Sequence, residues 1–247
     1  MGADFVDGKP RACIWLQNVN QADFMAVPTV AERVDRVRAM RLESSKAATR
    51  KKAETPWLFD EIRLPNTSRF LACPTVTSGK RKYIPLGLVD NELIPGNKLY
   101  FISDDSLYTF GVLSSLFHNA WTRVVAGRLK SDYNYSNTVV YNNFVWPQPT
   151  MEQRTKIEQC AQAVLDARAA HESRSLAQMY DGISPLPEGV SQSEAKKFDQ
   201  REFDDLRTAH DALDSAVEAA YGVDFHGDEE KIVAHLFKLY AKKTGGE

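Results

Sequence analysis

The segment SLYTFGVLSSLFHNAWTRVVAG, residues 106–127, decides the fold because it places an apolar helix in the middle of the chain. Its apolar residues recur every three or four positions, which is the period of an α-helix. They are Leu107, Phe110, Leu113, Phe117, Ala120 and Val124. Gly127 follows at a position where glycine commonly terminates helices. We therefore predict one central helix that ends at Gly127.

Short runs of β-favouring residues lie on both sides of this helix. They are RACIWL (11–16), RFLACPTV (69–76), KYIPLGLV (82–89), KLYFIS (98–103) and TVVYNNFVW (138–146). The middle three are separated by turn-forming sequences, which is typical of strands joined by hairpin-like connections. The sequence thus predicts an α+β fold, with a mixed, mostly antiparallel sheet and packed helices.

Helical patterns occupy the two ends of the chain. Near the start, Val30, Val34 and Val37 recur at helical spacing beside four arginines, which predicts a basic amphipathic helix. The polar tail at 44–55 indicates a mobile loop or linker. From Met151 onward the patterns predict a helical bundle interrupted by a loop at 181–197, part of which we expect to be disordered. We predict boundaries that give a strand and basic helix at 1–55, a recognition domain at 56–150 and a helical domain at 151–247.

The overall composition limits the class of protein. The chain has 247 residues, of which 43% are apolar, enough for a sizeable core. It lacks an apolar run of membrane-spanning length and a signal-peptide pattern, so we expect a cytoplasmic protein. Three widely spaced cysteines, Cys13, Cys73 and Cys160, indicate buried free thiols rather than disulfides or a zinc site.

Charge is distributed unevenly along the chain. Residues 1–150 carry 19 Lys and Arg against 14 Asp and Glu, whereas residues 151–247 carry 12 against 19. A basic part beside an acidic part is typical of a chain that binds a polyanion with one half, although a solvated surface can have the same distribution.

The segment GRLKSDYNYSNTVVYNNFVWP, residues 127–147, contains side chains that can distinguish base pairs. Lysine donates to guanine O6 and N7, and aspartate accepts from cytosine N4. In an extended strand Lys130, Asp132 and Asn134 point to one face, so the first two could read one G·C pair. Tyr133 and Tyr135 would point to the opposite face, where they can pack against the domain or hydrogen-bond a phosphate. The alternative is that Lys130 and Asp132 form a solvated surface ion pair.

A second set of basic residues is suited to phosphate contacts, because it lies in a predicted turn and around the end of the central helix. The set comprises Lys80, Arg81, Lys82, Arg123 and Arg128. A solvated turn explains the GKRK sequence at 79–82 almost as well.

The same segment resembles the GRLxSxYxYSxxxVYNNFPWP sequence of the MmeI-like restriction-modification proteins. In that family one polypeptide carries an S-adenosylmethionine-dependent adenine methyltransferase, a target-recognition domain and a C-terminal helical domain. Four further stretches are similar to the family and occur in its order. They are GADFVDGKPRACIWL (2–16), RFLACPTVTSGKRKYIPLGLVD (69–90), LYTFGVLSSLFHNAWTRVVAGRLKSDY (107–133) and LRTAHDALDSAVEAAYG (206–222).

The resemblance implies that Lys130 and Asp132 determine sequence specificity and that Asn134 contributes at a neighbouring base. Two positions depart from the family sequence. Asn134 stands where arginine is frequent, which leaves its target base undefined. Val145 replaces the first proline of NNFPWP, which should alter backbone stiffness more than base reading.

Catalytic sequence motifs are missing from this chain. An adenine methyltransferase needs a glycine-rich cofactor turn and an Asn/Asp-Pro-Pro-aromatic motif, and neither occurs in the sequence. The DEEK sequence at 228–231 resembles a nuclease metal site but is better explained as an acidic helix start. We expect no catalytic, cofactor-binding or metal-binding residue here. The resemblance implies S-adenosylmethionine for a parent enzyme that methylates DNA, with or without cleaving it.

Two functions from different classes therefore remain. In the first, the chain recognises a duplex DNA sequence for a methyltransferase domain of the same polypeptide or of a partner subunit. In the second, the chain is a structural domain whose acidic helices dock methyltransferase or nuclease partners. Salt-dependent binding of duplex DNA separates the two.

Overall fold

The computed structural model describes residues 2–185 and 201–245. The loop predicted at 181–197 lies partly outside these ranges. Two compact units are present, one formed by Arg11–Arg63 and the other by Met1–Pro10 together with Leu64–Glu247. The domain boundaries expected after residues 55 and 150 stay predictions.

The smaller unit is helical. Its helices are α2 (Gln21–Met25), α3 (Pro28–Leu42), α4 (Ala47–Lys51) and a 3₁₀ turn at Lys52–Glu54. The predicted basic helix is confirmed as α3, which buries Val34. The predicted mobile loop at 44–55 is wrong, because the Arg41 side chain holds this segment through the carbonyl oxygens of Lys52, Thr55 and Leu58 at 2.8–3.0 Å.

Two predictions for the start of this unit are also wrong, namely a buried strand at residues 11–16 and a buried thiol at Cys13. Residues 11–16 form no strand. Cys13 and Ile14 are exposed, and Trp15 stacks on Phe59 instead of entering a sheet. An apolar run becomes a buried strand only where a neighbouring strand satisfies its backbone, and residues 11–16 pair with none of the described strands.

The larger unit begins with α1 (Gly2–Val6) and contains two three-stranded sheets. The first has the order β3 (Gly87–Asp90), β1 (Arg69–Pro74), β4 (Leu99–Ile102), and the second has the order β2 (Val76–Thr77), β6 (Asp132–Asn134), β5 (Gly127–Leu129). All pairings among these strands are antiparallel. Strand β1 is central and buried on both faces, which explains its uninterrupted apolar run FLAC. The α+β prediction is confirmed.

The central helical segment is divided rather than continuous. Helix α5 (Leu107–Ser114) ends and α6 (Leu116–Val125) begins around Ser115, whose backbone is extended. A carboxylate oxygen of Asp214 accepts from the Leu116 N–H at 2.7 Å, which satisfies one donor of the new helix start. Gly127 is the first residue of β5, and α6 is followed by Ala126 in a β conformation. The single helix ending at Gly127 was therefore a wrong prediction.

The predicted strand at 138–146 is also absent. Asn137–Tyr141 forms a π-helical turn, in which the Ser136 hydroxyl accepts from the Val139 N–H. The side-chain amide of Asn143 donates to the carbonyl oxygens of Thr138 and Val139 at 2.9 and 3.0 Å. Asparagine and serine side chains have thus bound the local backbone in place of a strand partner.

The helical pattern after Thr150 is confirmed. Among the described residues it forms α7 (Met151–Ala170), α8 (Leu176–Gly182), α9 (Asp204–Ala220) and α10 (Glu229–Thr244). Thr150 and Gln153 form a reciprocal capping box at the start of α7. The apolar faces of these helices join α5, α6 and β1 in one core. Its members include Leu71, Phe110, Leu113, Phe117, Ile157, Val164, Leu206, Leu213, Val217 and Leu236.

Candidate nucleic-acid interface

A tight hairpin carries the residues expected to read bases. Strands β5 and β6 pair through Leu129 and Asp132, so that Lys130 and Ser131 form a two-residue turn. Lys130 has a φ of +58°, a left-handed conformation that costs a non-glycine residue about 1–2 kcal/mol. Lys130 is thus an exposed turn residue, and the extended spacing predicted for 130–134 applies only to β6.

Side chains of β6 alternate between the interior and the surface. Tyr133 and Tyr135 are buried, so they pack against the domain instead of reaching a phosphate, while Asn134 is exposed and Asp132 is half-buried. The Tyr135 hydroxyl lies 3.0 Å from Nε2 of buried His118. Burial lowers the pKa of His118 to about 4, so its ring is neutral at physiological pH. The two tyrosines fix the strand, and the alternation turns Asp132 and Asn134 to the opposite face.

The loop after β2 lies against this hairpin. The Gly79 N–H donates to Asp132 Oδ1 at 3.3 Å. Next to it, Lys80 is exposed. From β5, the guanidinium of Arg128 lies 3.8 Å from the centre of the Tyr133 ring and donates to the Ser131 carbonyl oxygen. Lys80, Arg128, Lys130, Asp132 and Asn134 are therefore brought together around one hairpin.

The other three cations expected to bind phosphate have carboxylate partners in the C-terminal helices. Arg81 Nε lies 2.8 Å from Asp181 of α8, and Lys82 Nζ lies 3.4 Å from Asp211 of α9. Arg123 Nη1 lies 2.7 Å from Glu229, the first residue of α10. A phosphate could contact these cations only by joining the ion pair or by displacing its carboxylate. The sequence did not reveal these partners, which are about a hundred residues away along the chain.

A buried polar cluster anchors the end of the same loop. The Tyr83 ring stacks on His210 of α9 with 4.2 Å between ring centres, and its hydroxyl donates to Asp214 Oδ2 at 2.7 Å. Burial raises the pKa of Asp214 to about 7, against the opposing effect of its hydrogen bonds from Tyr83 and the Leu116 backbone. Asp214 thereby joins the loop, the start of α6 and the helical region.

Replacing Tyr83 by phenylalanine should destabilise the larger unit, because Asp214 would lose a buried donor. We expect the free energy of unfolding to fall by about 1–3 kcal/mol at neutral pH, measured by urea denaturation. Tyr240→Phe is the matched control, because Tyr240 of α10 is half-buried. This substitution should change the free energy of unfolding by less. Equal losses in the two variants would contradict the role given to the Tyr83–Asp214 hydrogen bond.

Within residues 2–185 and 201–245, no group of three or more His, Cys, Asp or Glu side chains is placed to hold a metal ion. No helix in the same ranges combines the length and apolar character needed to cross a bilayer.

Comparison with known proteins accounts for nearly the whole chain. Residues 1–148 match the family model described as MmeI, target recognition domain, and residues 150–195 match the model described as MmeI, C-terminal domain. A curated relative, DNA methyltransferase A of Bacillus subtilis (strain 168), is 34% identical over 242 residues. That alignment covers 98% of this chain and 25% of the relative.

A solved structure has the same fold. It is that of the type IIL restriction-modification enzyme MmeI in complex with DNA, with a TM-score of 0.87 and 37% sequence identity. The match covers 99% of this chain and 30% of the MmeI chain. The chain thus spans between a quarter and a third of the length of these two relatives. By sequence and by fold, it belongs to the MmeI family, of which it comprises the target-recognition domain and C-terminal domain sequences.

Proposed function

We propose that this chain recognises a specific sequence in duplex DNA, using the turn and exposed face of the β5–β6 hairpin. The observation that carries the proposal is the alternation along β6, which buries Tyr133 and Tyr135 and leaves Asp132 and Asn134 available beside Lys130. The MmeI structure was solved in complex with DNA, and its similarity over 99% of this chain supports the same partner.

The chemistry of the hairpin suits a G·C base pair. Lys130 would donate to guanine O6 and N7 in the major groove. Asp132 accepts from Gly79 with one oxygen, and its second oxygen can accept from cytosine N4. Asn134 would contact a neighbouring base. A two-stranded hairpin is narrow enough to enter a major groove.

Phosphate contacts would fix the position of the hairpin on the duplex. Lys80 and Arg128 are exposed next to it and are the first choice for this role. Three further cations are already paired with carboxylates: Arg81, Lys82 and Arg123. Each would contribute only where a phosphate joins its ion pair or displaces the carboxylate.

The chemical step belongs to a different domain in this proposal. A methyltransferase domain, in the same polypeptide or in a partner subunit, would bind S-adenosylmethionine and methylate an adenine at N6. A nuclease activity of the same parent enzyme is equally compatible with the recognition role. The residues of this chain would position the duplex for that chemistry in the cytoplasm.

Binding to duplex DNA should depend steeply on salt, because neutralised phosphates release counterions. Replacing Lys80 by alanine should reduce the slope of log K against log salt by about 0.9, with the same loss for every DNA sequence. Fluorescence anisotropy with a labelled mixed-sequence duplex measures the slope. Lys156→Ala, an exposed lysine of α7, is the control and should leave it unchanged.

Wild-type binding without a salt slope would favour the second function, a structural domain that docks partner proteins. Three acidic residues of the helical region, Asp181, Asp211 and Glu229, are already paired with cations of this chain. These carboxylates therefore have electrostatic partners without a docked protein.

A further inference from the structure

We infer that Gly79 is a positioning residue for base recognition, because it sets both the place of the hairpin turn and the direction of the Asp132 carboxylate. The inference rests on the proposed function and deepens it. Gly79 touches no base in this account and acts through its neighbours in the hairpin.

Position 79 has no room for a side chain. A Cβ atom built on Gly79 would lie 2.5 Å from the carbonyl oxygen of Ser131, far inside van der Waals contact. The obstacle is a backbone atom, which cannot rotate away as a flexible side chain can. Any larger residue at position 79 must therefore displace either its own loop or the Lys130–Ser131 turn.

A hydrogen bond also joins the loop to the hairpin. The Gly79 N–H donates to Asp132 Oδ1 at 3.3 Å, and this contact fixes the rotation of the carboxylate. The second oxygen, Oδ2, is then the one that can accept from cytosine N4. The direction of the second oxygen then follows from the position of Gly79.

The loop is held more firmly than the hairpin tip. Arg81 pairs with Asp181, the Lys82 N–H donates to the Ser184 hydroxyl at 2.9 Å, and Tyr83 is buried against α9. The tip, in contrast, has exposed residues from 127 to 131. A side chain at position 79 would consequently move the tip, and with it Lys130 and Asp132.

Arg128 also contacts the turn and lies close to Gly79. Its guanidinium lies on the Tyr133 ring and donates to the same Ser131 oxygen that faces Gly79. Nη1 of Arg128 would lie 3.7 Å from a Cβ atom on Gly79, so Gly79 and Arg128 approach the Ser131 oxygen from the same side. This arrangement gives Arg128 a structural contact in addition to the phosphate contact proposed above.

The chain offers a matched pair of substitutions to test the inference. Gly79→Ala introduces the clash, whereas Gly127→Ala, at the base of the same hairpin, introduces a methyl group with no atom within 4 Å. Neither glycine has a positive φ, so alanine strains neither backbone conformation. Each variant of the 247-residue chain would be used to select duplexes from a randomised library, beside Asp132→Ala.

We expect Gly79→Ala to reduce discrimination at the base pair that Asp132→Ala also affects. The reduction should be at least about fivefold, which is the lower end of the discrimination that one base contact provides. Gly127→Ala should match the wild type in discrimination, in affinity for mixed-sequence duplex and in salt slope. Unchanged discrimination in Gly79→Ala, with discrimination lost in Asp132→Ala, would overturn the inference. A wild-type chain that selects no sequence would instead refute the proposed function.

A second measurement leaves Gly79 intact and remains decisive if Gly79→Ala does not fold. Hydrogen exchange of the Gly79 amide, followed by NMR, should be at least several-fold faster in Asp132→Ala than in Asp132→Asn, because asparagine retains an acceptor oxygen. Equal exchange rates in these two variants would show that Asp132 does not hold Gly79, and the inference would fail.

Discussion

Replacing Lys130 by glutamate together with Asp132 by arginine is expected to change the base pair that the chain selects. In the proposed arrangement the turn residue donates to guanine and the strand residue accepts from cytosine. The double variant exchanges donor and acceptor, so the preferred G·C pair should reverse its orientation. Each contact should contribute about 1–3 kcal/mol of discrimination.

Selection from a randomised duplex library, followed by sequencing, measures this change directly. Lys130→Arg is the control, because arginine donates to the same guanine atoms and should keep the wild-type preference. If the double variant selects the same base pairs as the wild type, the assignment of Lys130 and Asp132 to base reading is wrong. Thermal unfolding of each variant would establish that the fold is retained.

The second large effect concerns pH. Burial gives Asp214 a folded-state pKa of about 7, against an ordinary value of 3.8. Between these two values the folded chain binds more protons than the unfolded chain, so the contribution of Asp214 to stability falls as pH rises. Above about pH 7 both states are ionised and the loss is complete.

Asp214→Asn removes this titration and should flatten the pH dependence. From about pH 4.5 to about pH 8, the unfolding free energy of the wild type should fall by about 3 kcal/mol relative to the variant. Urea denaturation across this range measures it, with Asp166→Asn, an exposed aspartate of α7, as the control. Parallel pH profiles for wild type and Asp214→Asn would contradict the burial of a proton-binding carboxyl group.

The elements that the sequence predicted well are those specified by local patterns. Helix α7 has its apolar period, its capping residues Thr150 and Gln153 and its acidic first turn within one segment. Strand β1 likewise has a continuous apolar run that suits the centre of a sheet. The features that were missed depend on distant partners. The break at Ser115 is satisfied by Asp214, and nothing in residues 106–127 indicates that carboxylate.

The candidate site likewise combines features that local patterns predicted with features that depend on distant partners. Alternation along β6 predicted which of its side chains share a face, because it depends only on the strand period. The turn at Lys130 was not predicted, since the KS dipeptide lacks the glycine or asparagine that usually marks a left-handed turn residue. The partners of Arg81, Lys82 and Arg123 lie in helices that only the folded chain brings near them. Gly79 was unremarkable in sequence because its importance comes from the neighbouring Ser131 carbonyl.

The central claim is that the hairpin contacts base edges in the major groove, and methylation interference at guanine N7 tests it most directly. Once a selected duplex is in hand, methylating the guanine read by Lys130 should prevent binding by the wild-type chain. The same modification should have no effect on Lys130→Ala, which no longer makes that contact. Identical interference patterns for the two proteins, at every guanine of the site, would contradict the account.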